Sequence, residues 1–150
     1  MSSSRKRGFA HERDLVVKLW KRGFAVMRAP ASGSKARRTK YPDVVAILNH
    51  RVFVFEVKTT SKERPIYIDK RQVDKVREFA KRAGGYAFIA VKVVGSGTWR
   101  FIPLKDLEQT TRGNYKIPCE KLVNALRIPD VIALARETKK LDEYLPSKID

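Results

Sequence analysis

The sequence predicts an α/β domain with a central mixed β-sheet of about five strands flanked by helices. Short apolar, β-branched runs recur along the chain between turn residues, as in the strands of a buried sheet. Longer segments carry apolar residues at helical spacing and end at glycines or begin with capping residues. The chain has 150 residues, of which 43% are hydrophobic, so we expect one domain with a substantial core.

The charge indicates a polyanionic partner. Lysine and arginine total 33 against 16 acids, a formal charge of +17. Cys119 is the only cysteine, so a disulfide framework or a cysteine zinc cluster is excluded. No apolar run is as long as a membrane span and no signal-peptide pattern opens the chain. We expect a cytoplasmic, nucleoid-associated protein; a basic membrane-surface protein is the alternative, without an amphipathic basic helix to support it.

The first strand pair is predicted as a β-hairpin. Val44 to Leu48 and Val52 to Val57 are apolar, β-branched runs, and Asn49-His50 between them is a two-residue turn candidate. The simplest register places Leu48 opposite Arg51.

In that register Asp43 lies opposite Glu56, and strand periodicity puts Lys58 on the same face. Two carboxylates so close repel, so one stays protonated unless a cation lies between them. Mg²⁺ or Mn²⁺ suits such oxygen ligands, and a neighbouring lysine can orient a water or stabilise phosphate charge. The pattern favours metal-assisted phosphodiester hydrolysis; a surface ion pair at a strand end is the alternative. Glu-x-Lys alone is weak, since Glu137-Thr-Lys139 repeats it.

The first helix is predicted over Phe9 to Arg22 and is stopped by Gly23. Glu12 falls on the buried edge of its apolar stripe, where a charged residue is uncommon unless paired or bound to metal. Glu12 is therefore either a third acid of the site or a first-turn glutamate that favours the helix N-terminus. The stripe is formed by Leu15, Val16, Leu19 and Trp20.

The other elements follow from the same signals. Asp69 and Gln72 form a capping-box pattern before a helix to about Ala83. Trp99 and Phe101 share a strand face and are assigned to the core or a subunit interface rather than to base stacking. Residues of about 120–150 are predicted as a helical C-terminal cover. The remaining segments are strands at Phe24–Arg28, Ile66–Ile68, Tyr86–Val94 and Thr98–Ile102, and a helix at Pro129–Leu145.

Basic segments precede the predicted site. Residues 1–8 are expected as a flexible basic arm, and residues 29–42 as a basic loop that clamps phosphates, the alternatives being a solvated terminus and a solvated loop. Ser32 and Ser34 of this loop are candidates for hydrogen bonds to a phosphate or a metal-bound water. The predicted DNA-binding residues are Arg5, Lys6, Arg7, Arg13, Arg28, Ser34, Lys35, Arg37, Arg38, Lys40, Lys70 and Arg71.

With these acids in this order, the chain resembles the PD-(D/E)xK nuclease superfamily, and within it the archaeal Holliday-junction resolvases. The motif halves are Pro42-Asp43 and Glu56-Val57-Lys58. The resemblance covers roughly residues 5 to 120, and KARRTKYP between Ser34 and Asp43 is longer and more basic than in some members. The other matching stretches are GFAHER (8–13), KRGFAVMR (21–28), APASGSK (29–35), REFAKRAGG (77–85) and WRFIP (99–103).

The resemblance implies a restriction-endonuclease-like fold and a homodimeric, Mg²⁺-dependent endonuclease that cuts four-way DNA junctions in recombination and repair. It implies that Glu12, Asp43, Glu56 and the Val57 carbonyl bind the metal. It also assigns Lys58 as the catalytic lysine and Ser32, rather than Ser34, as the catalytic serine. A sequence-specific nuclease of the restriction type and a non-catalytic nucleic-acid-binding module are the alternative functions. The sequence does not indicate which replication or recombination proteins bind it.

Overall fold

The computed structural model describes residues 2–30 and 41–137, with side chains from residue 8 onward. A five-stranded mixed sheet with helices on both faces confirms the predicted fold class. The elements in chain order are α1 (Ser2–Trp20), β1 (Ala25–Arg28), β2 (Val44–Leu48), β3 (Arg51–Thr60), β4 (Ile66–Ile68), α2 (Lys70–Ala83), β5 (Tyr86–Val93), β6 (Thr98–Pro103), a 3₁₀ turn (Leu104–Asp106), β7 (Glu108–Gln109), β8 (Tyr115–Ile117), α3 (Cys119–Val123) and α4 (Ile128–Arg136).

The predicted hairpin is confirmed in its register. Leu48 pairs with Arg51, and Val44 pairs with Phe55 at the open end. Asn49 and His50 both have positive φ, 55° and 64°, as a type I′ turn requires.

The turn of the hairpin is bound to the last helix. The Asn49 side-chain amide donates to the Ala135 carbonyl at 3.3 Å, and Arg51 Nη1 donates to the Leu134 carbonyl. The C-terminal part of α4 therefore lies beside the closed end of the hairpin.

The main sheet has the strand order β1-β2-β3-β5-β6. β3 and β5 run parallel, and α2 makes the crossover between them, as a parallel pair requires. β5 is buried along most of its length, which explains its almost continuous apolar sequence.

The two faces of the sheet carry separate helices. On one face Phe53 and Phe55 pack with Leu15 and Leu19 of α1 and with α4. On the other face α2 covers Val54 and its neighbours, and the residues of α2 that pack there include Val73, Val76 and Ala80. Trp99 and Phe101 belong to the core on the α1 face, so their assignment away from base stacking is confirmed.

Two element boundaries differ from the sequence prediction. α1 begins at Ser2, so residues 2–8 belong to its first turns and are not an arm that precedes the helix. The last helix ends at Arg136 because Glu137 has an extended backbone (ψ 117°), and its predicted continuation beyond residue 137 lies outside the described residues.

Within the described ranges, no helix is long and apolar enough to cross a membrane.

A second, three-stranded sheet was not predicted as a sheet. Its strand order is β4-β8-β7, and only β4 was expected as an extended piece. The strands have two or three residues each, too few to show a period of two in the sequence. Ile68 and Ile117 of this sheet pack with Val73 against Ile89 and Val91 of β5.

Gly85 lets the segment after α2 pass close to β3. A Cβ at this position would lie 2.4 Å from the Val52 carbonyl oxygen and 2.9 Å from Val52 Cβ. We predict that Gly85→Ala lowers the free energy of unfolding by about 1–3 kcal/mol because the backbone of a central strand must shift. Gly8→Ala is the control: its Cβ would meet no atom within 4 Å in α1, and alanine favours the helix by roughly 0.5–1 kcal/mol. Equal urea midpoints for the two variants would contradict this packing account.

Candidate active site

Asp43 is fixed by its own backbone at the open end of the hairpin. Its N–H donates to the Phe55 carbonyl at 3.0 Å, and its carbonyl accepts from the Ala29 N–H at 3.0 Å. Its side chain extends this pairing, because Oδ2 accepts from the Val57 N–H at 2.8 Å. The Val57 N–H thus donates to a carboxylate where, in a longer β2, it would donate to a backbone carbonyl. The paired register ends with Val44 opposite Phe55, one residue before the predicted pair of Asp43 and Glu56, and these two carboxylates lie close enough to interact electrostatically.

Glu56 is a buried acid on the face of β3 that α2 covers, with only 2% of its surface exposed. Lys75 Nζ of α2 lies 3.1 Å from Glu56 Oε2, an ion-pair distance. The angle at this contact is not that of a hydrogen bond, and Oε2 has no hydrogen-bond partner among the described residues. The Glu56 carboxylate is therefore stabilised mainly by the positive charge of Lys75. Its Oε2 atom makes no well-oriented hydrogen bond to the described residues.

The carboxyl group of Glu56 is electrostatically coupled to its surroundings. Its pKa is raised from 4.5 to about 7, chiefly because burial disfavours the charged form and also because the Asp43 carboxylate repels it. The Lys75 and Lys58 ammonium groups oppose this shift. The sequence-based expectation that facing acids hold a proton in the absence of a cation agrees with this direction.

Glu12 belongs to the same group of acids. It is half-buried in α1, and its pKa is also raised to about 7, first by burial and then by the Asp43 carboxylate. Arg28 and Lys75 lower it. Because Asp43 and Lys75 act on both glutamates, the three acids share one electrostatic environment. This placement favours the third-acid interpretation of Glu12 over a first-turn glutamate with no further role.

Lys58 lies on the α2 side of β3, as strand periodicity predicted. Its Nζ donates to Gln72 Oε1 at 2.7 Å, which leaves further donor capacity on the ammonium. Gln72 was assigned to a capping box by the sequence. Asp69 is indeed the N-cap and accepts from the Arg71 N–H, but the Gln72 side chain binds Lys58.

Gln72 and Lys75 are the site residues that sequence reasoning missed. Both stand one position before inward-facing valines, Val73 and Val76, so they flank the apolar stripe of α2 on one side. Their spacing of three residues places them on a common helix face. That position beside the stripe is the signal that distinguishes them from the exposed basic residues of the same helix.

The acids suit a hard divalent cation. Glu56 offers a buried oxygen without a hydrogen bond among the described residues, and the Asp43 carboxylate raises the pKa of both Glu56 and Glu12. In the described part of the chain, no three His, Cys, Asp or Glu side chains form a closed ligand cluster. Asp43 Oδ2 instead binds the Val57 N–H and Glu56 faces Lys75. The donor chemistry therefore fits Mg²⁺, and a metal bound at Glu56 Oε2 would replace the contact of this oxygen with Lys75.

The predicted DNA-binding residues are only partly placed near the acids. Arg28 lies at the end of β1, donates to the Phe9 carbonyl at 3.2 Å and lowers the pKa of Glu12, so it borders the site. Arg13 is exposed on α1. Lys70 and Arg71 are exposed in the first turn of α2, paired with Asp74 and Asp69. The candidates outside the described residues are Ser32, Ser34, Lys35, Arg37, Arg38 and Lys40, together with the side chains of Arg5, Lys6 and Arg7.

Comparison with known proteins identifies relatives along almost the whole chain. The family model described as archaeal Holliday junction resolvase (Hjc) matches residues 3–140. A crossover junction endodeoxyribonuclease Hjc of Sulfurisphaera tokodaii is 40% identical over 97% of this chain and 100% of its own length. The corresponding protein of Sulfolobus acidocaldarius is 33% identical over 95% of this chain and 99% of its own.

A solved structure has the same architecture. The structure of Archaeoglobus fulgidus Hjc, described as a Holliday junction resolvase from an archaeal hyperthermophile, superposes with a TM-score of 0.76 at 35% identity. The match covers 83% of this chain and 99% of that protein.

The raised pKa of Glu56 predicts that the free energy of unfolding of the metal-free protein falls as pH rises. A carboxyl whose folded pKa lies above its unfolded value stabilises the fold below about pH 4.5, and this contribution is lost as pH rises through about 7. Glu56→Gln removes the ionisation, so we expect it to raise the free energy of unfolding by roughly 1–3 kcal/mol at pH 8 and by little at pH 5.

Urea unfolding in EDTA at both pH values measures this difference. Glu108→Gln is the matched control, since it makes the same change at an exposed position of β7. If Glu56→Gln raised the free energy of unfolding equally at pH 5 and pH 8, the increase would not be due to removal of a buried charge.

Proposed function

The chain belongs to the archaeal Holliday junction resolvase family, and from this premise we propose that it is a Mg²⁺-dependent, homodimeric enzyme that resolves four-way DNA junctions. It is a crossover junction endodeoxyribonuclease of recombination and repair. The observation that carries the catalytic assignment is the meeting of Asp43, buried Glu56 and Lys58 at one end of the hairpin, with the Asp43 carboxylate also raising the pKa of Glu12.

The metal site of this proposal uses the acids of the hairpin and α1. Glu12, Asp43 and Glu56 would hold Mg²⁺ together with the Val57 carbonyl, and Mn²⁺ is a chemically similar substitute. The bound metal would supply charge stabilisation at the phosphate and a water of lowered pKa. Support comes from Glu56 Oε2, a buried oxygen that already faces a cation, Lys75, and from the raised pKa values of two of the acids, which a divalent cation would bring down.

The chain's own groups position and stabilise the reacting phosphate. Lys58 is aimed by Gln72, so its ammonium is available at a fixed place to stabilise charge that develops on phosphate oxygens. Asp43 keeps its orientation through the Val57 N–H. Ser32, in the loop before Asp43, is assigned a catalytic role by family resemblance and lies outside the described residues.

Junction DNA binds mainly through its phosphates in this proposal. The formal charge of +17 supplies attraction that does not depend on base sequence. The basic residues sit at a helix surface, at a strand end and in the 29–42 segment rather than on one recognition helix. Selection of the junction would then rest on the shape of its arms and on their phosphate spacing. We place this activity in the cytoplasm, where the chromosomal DNA lies.

The homodimer has a candidate surface on the sheet. On the face that carries α2, the helix covers β3 and β5, while Met27 of β1 and Ile47 of β2 are 65% and 43% exposed. Their neighbours Ala25 and Val45 continue this apolar surface toward Val54. Such an apolar patch is typical of an interface, and a two-fold dimer supplies the two active sites that paired, symmetric cuts require.

We predict that Glu56→Ala and Asp43→Asn lower junction cleavage by at least about 100-fold, because each removes a carboxylate that holds the metal, and the metal stabilises the charge on the reacting phosphate. Asparagine can still accept the Val57 hydrogen bond, so Asp43→Asn tests charge rather than fold. Binding of the junction is expected to stay within a small factor of wild type. Cleavage is measured on a four-way junction with immobile arms, in Mg²⁺ and in EDTA.

Linear duplex of the same sequence is the substrate control. Metal-dependent cuts in the linear duplex would favour a sequence-specific nuclease, and tight junction binding without any cut would favour a binding module. Wild-type cleavage by either variant would refute the site assignment.

We predict that Ile47→Glu converts the dimer to a monomer, since a charge at the centre of the exposed sheet face cannot be buried without a partner. Size-exclusion chromatography with light scattering is expected to give twice the 17.2 kDa chain mass for wild type and the single mass for the variant. Val17→Glu is the control, because Val17 is similarly exposed, at 48%, but lies on α1. A dimer that survives Ile47→Glu and dissociates with Val17→Glu would place the interface on α1.

A further inference from the structure

Lys75 differs from the other basic residues of α2 in the direction of its ion pair. Lys70, Arg71, Arg77 and Arg82 pair with acids of their own helix or its cap. Lys75 reaches across to β3 and faces Glu56, and its side chain is only 26% exposed. Its place beside Val76, which is fully buried, holds its stem against the sheet.

The contact between Lys75 and Glu56 is an ion pair without the geometry of a good hydrogen bond. The two atoms lie 3.1 Å apart, yet Glu56 Oε2 lacks a hydrogen bond among the described residues. A lysine ammonium is a compact charge on a flexible stem, so it can approach and leave without a change of backbone. Lys75 also acts electrostatically on Glu12, so its charge reaches two of the three acids.

We propose that Lys75 is an internal counter-cation that balances the buried acids in the metal-free enzyme and must release Glu56 when Mg²⁺ binds. The inference deepens the proposed function and rests on its metal dependence. Because the Lys75 ammonium and the metal are both positive and would both contact the Glu56 carboxylate, they repel each other and compete for it. Lys75 stabilises the metal-free protein and, through the same charge, weakens the affinity for metal.

The test removes the charge and keeps the length of the side chain. We expect Lys75→Met to bind Mg²⁺ at least about fivefold more tightly than wild type, since a like charge near the metal is gone. Without metal, the same variant should unfold at a temperature lower by roughly 2–4 °C, because the acids lose their balancing charge. Both effects are measured at pH 8.5, by calorimetric titration with Mg²⁺ alone and by thermal unfolding in EDTA.

Two further variants make the result specific. Lys81→Met removes the same charge from an exposed position of α2 and is expected to change neither quantity. Lys75→Arg keeps a cation and should retain the metal-free unfolding temperature, and it serves as the folded comparison if Lys75→Met unfolds at the assay temperature.

The outcomes separate the two proposals. Tighter Mg²⁺ binding with a lower metal-free unfolding temperature, in Lys75→Met alone, supports the counter-cation. Mg²⁺ affinity of Lys75→Met that equals that of Lys81→Met, or that falls below wild type, overturns it while the metal dependence stands. Failure of the wild-type protein to bind Mg²⁺ or Mn²⁺ at all overturns the proposed metal dependence itself.

Discussion

The register of β2 on β3 is the constraint on which the site depends. Val44 pairs with Phe55, and the residue before it, Asp43, donates its N–H to the Phe55 carbonyl and lies close enough to Glu56 to raise its pKa. Because side chains alternate between faces, a slip of one residue would turn Asp43 toward α1 and leave Glu56 without a facing acid. The type I′ turn at Asn49 and His50 fixes this register at one end, and the bond from the Val57 N–H to Asp43 closes it at the other.

The same register places two carboxylates close together, and this electrostatic repulsion must be offset by other parts of the fold. Glu56 is buried by α2, whose position is set by Val73, Val76 and Ala80 on the sheet. The helix that excludes water from the carboxylate also brings a lysine to it, so burial and compensation come from one element. Active sites commonly combine a buried charge with a partner that only partly compensates it. A group that is fully stabilised without ligand would gain little free energy from binding one.

Local signals in the sequence were sufficient for much of the fold and for the pairing of Asp43 with Glu56 as site candidates. The hairpin could be predicted because two β-branched runs flank a two-residue connection. The helical stripe of α1 left Glu12 open between a third acid and a first-turn glutamate, and the family resemblance was needed to favour the third acid. Gln72 and Lys75 could not be assigned, since their role depends on which strands α2 crosses, and this is a tertiary property.

The element boundaries that were predicted wrongly also lack a clear local signal in the sequence. The helical pattern of α1 was expected to begin at its first aromatic residue, Phe9, although the polar residues before it also adopt helical backbone. The strands of the second sheet are too short to carry a periodicity and gain their place through Ile68 and Ile117 in the core. The end of α4 at Arg136 has no glycine or proline to mark it.

The bond between the hairpin turn and α4 has a practical consequence for labelling. Asn49 and Arg51 bind carbonyls of the last turn of α4, so Glu137 lies near the closed end of the hairpin. Glu56 stands five residues along β3 from Arg51, about 17 Å away at the rise of an extended strand. A fluorophore on a cysteine introduced at Glu137 would therefore sit at the opposite end of the strands from the acids. Such a probe would report on tumbling or on distances between chains without contact with the phosphate that is cut.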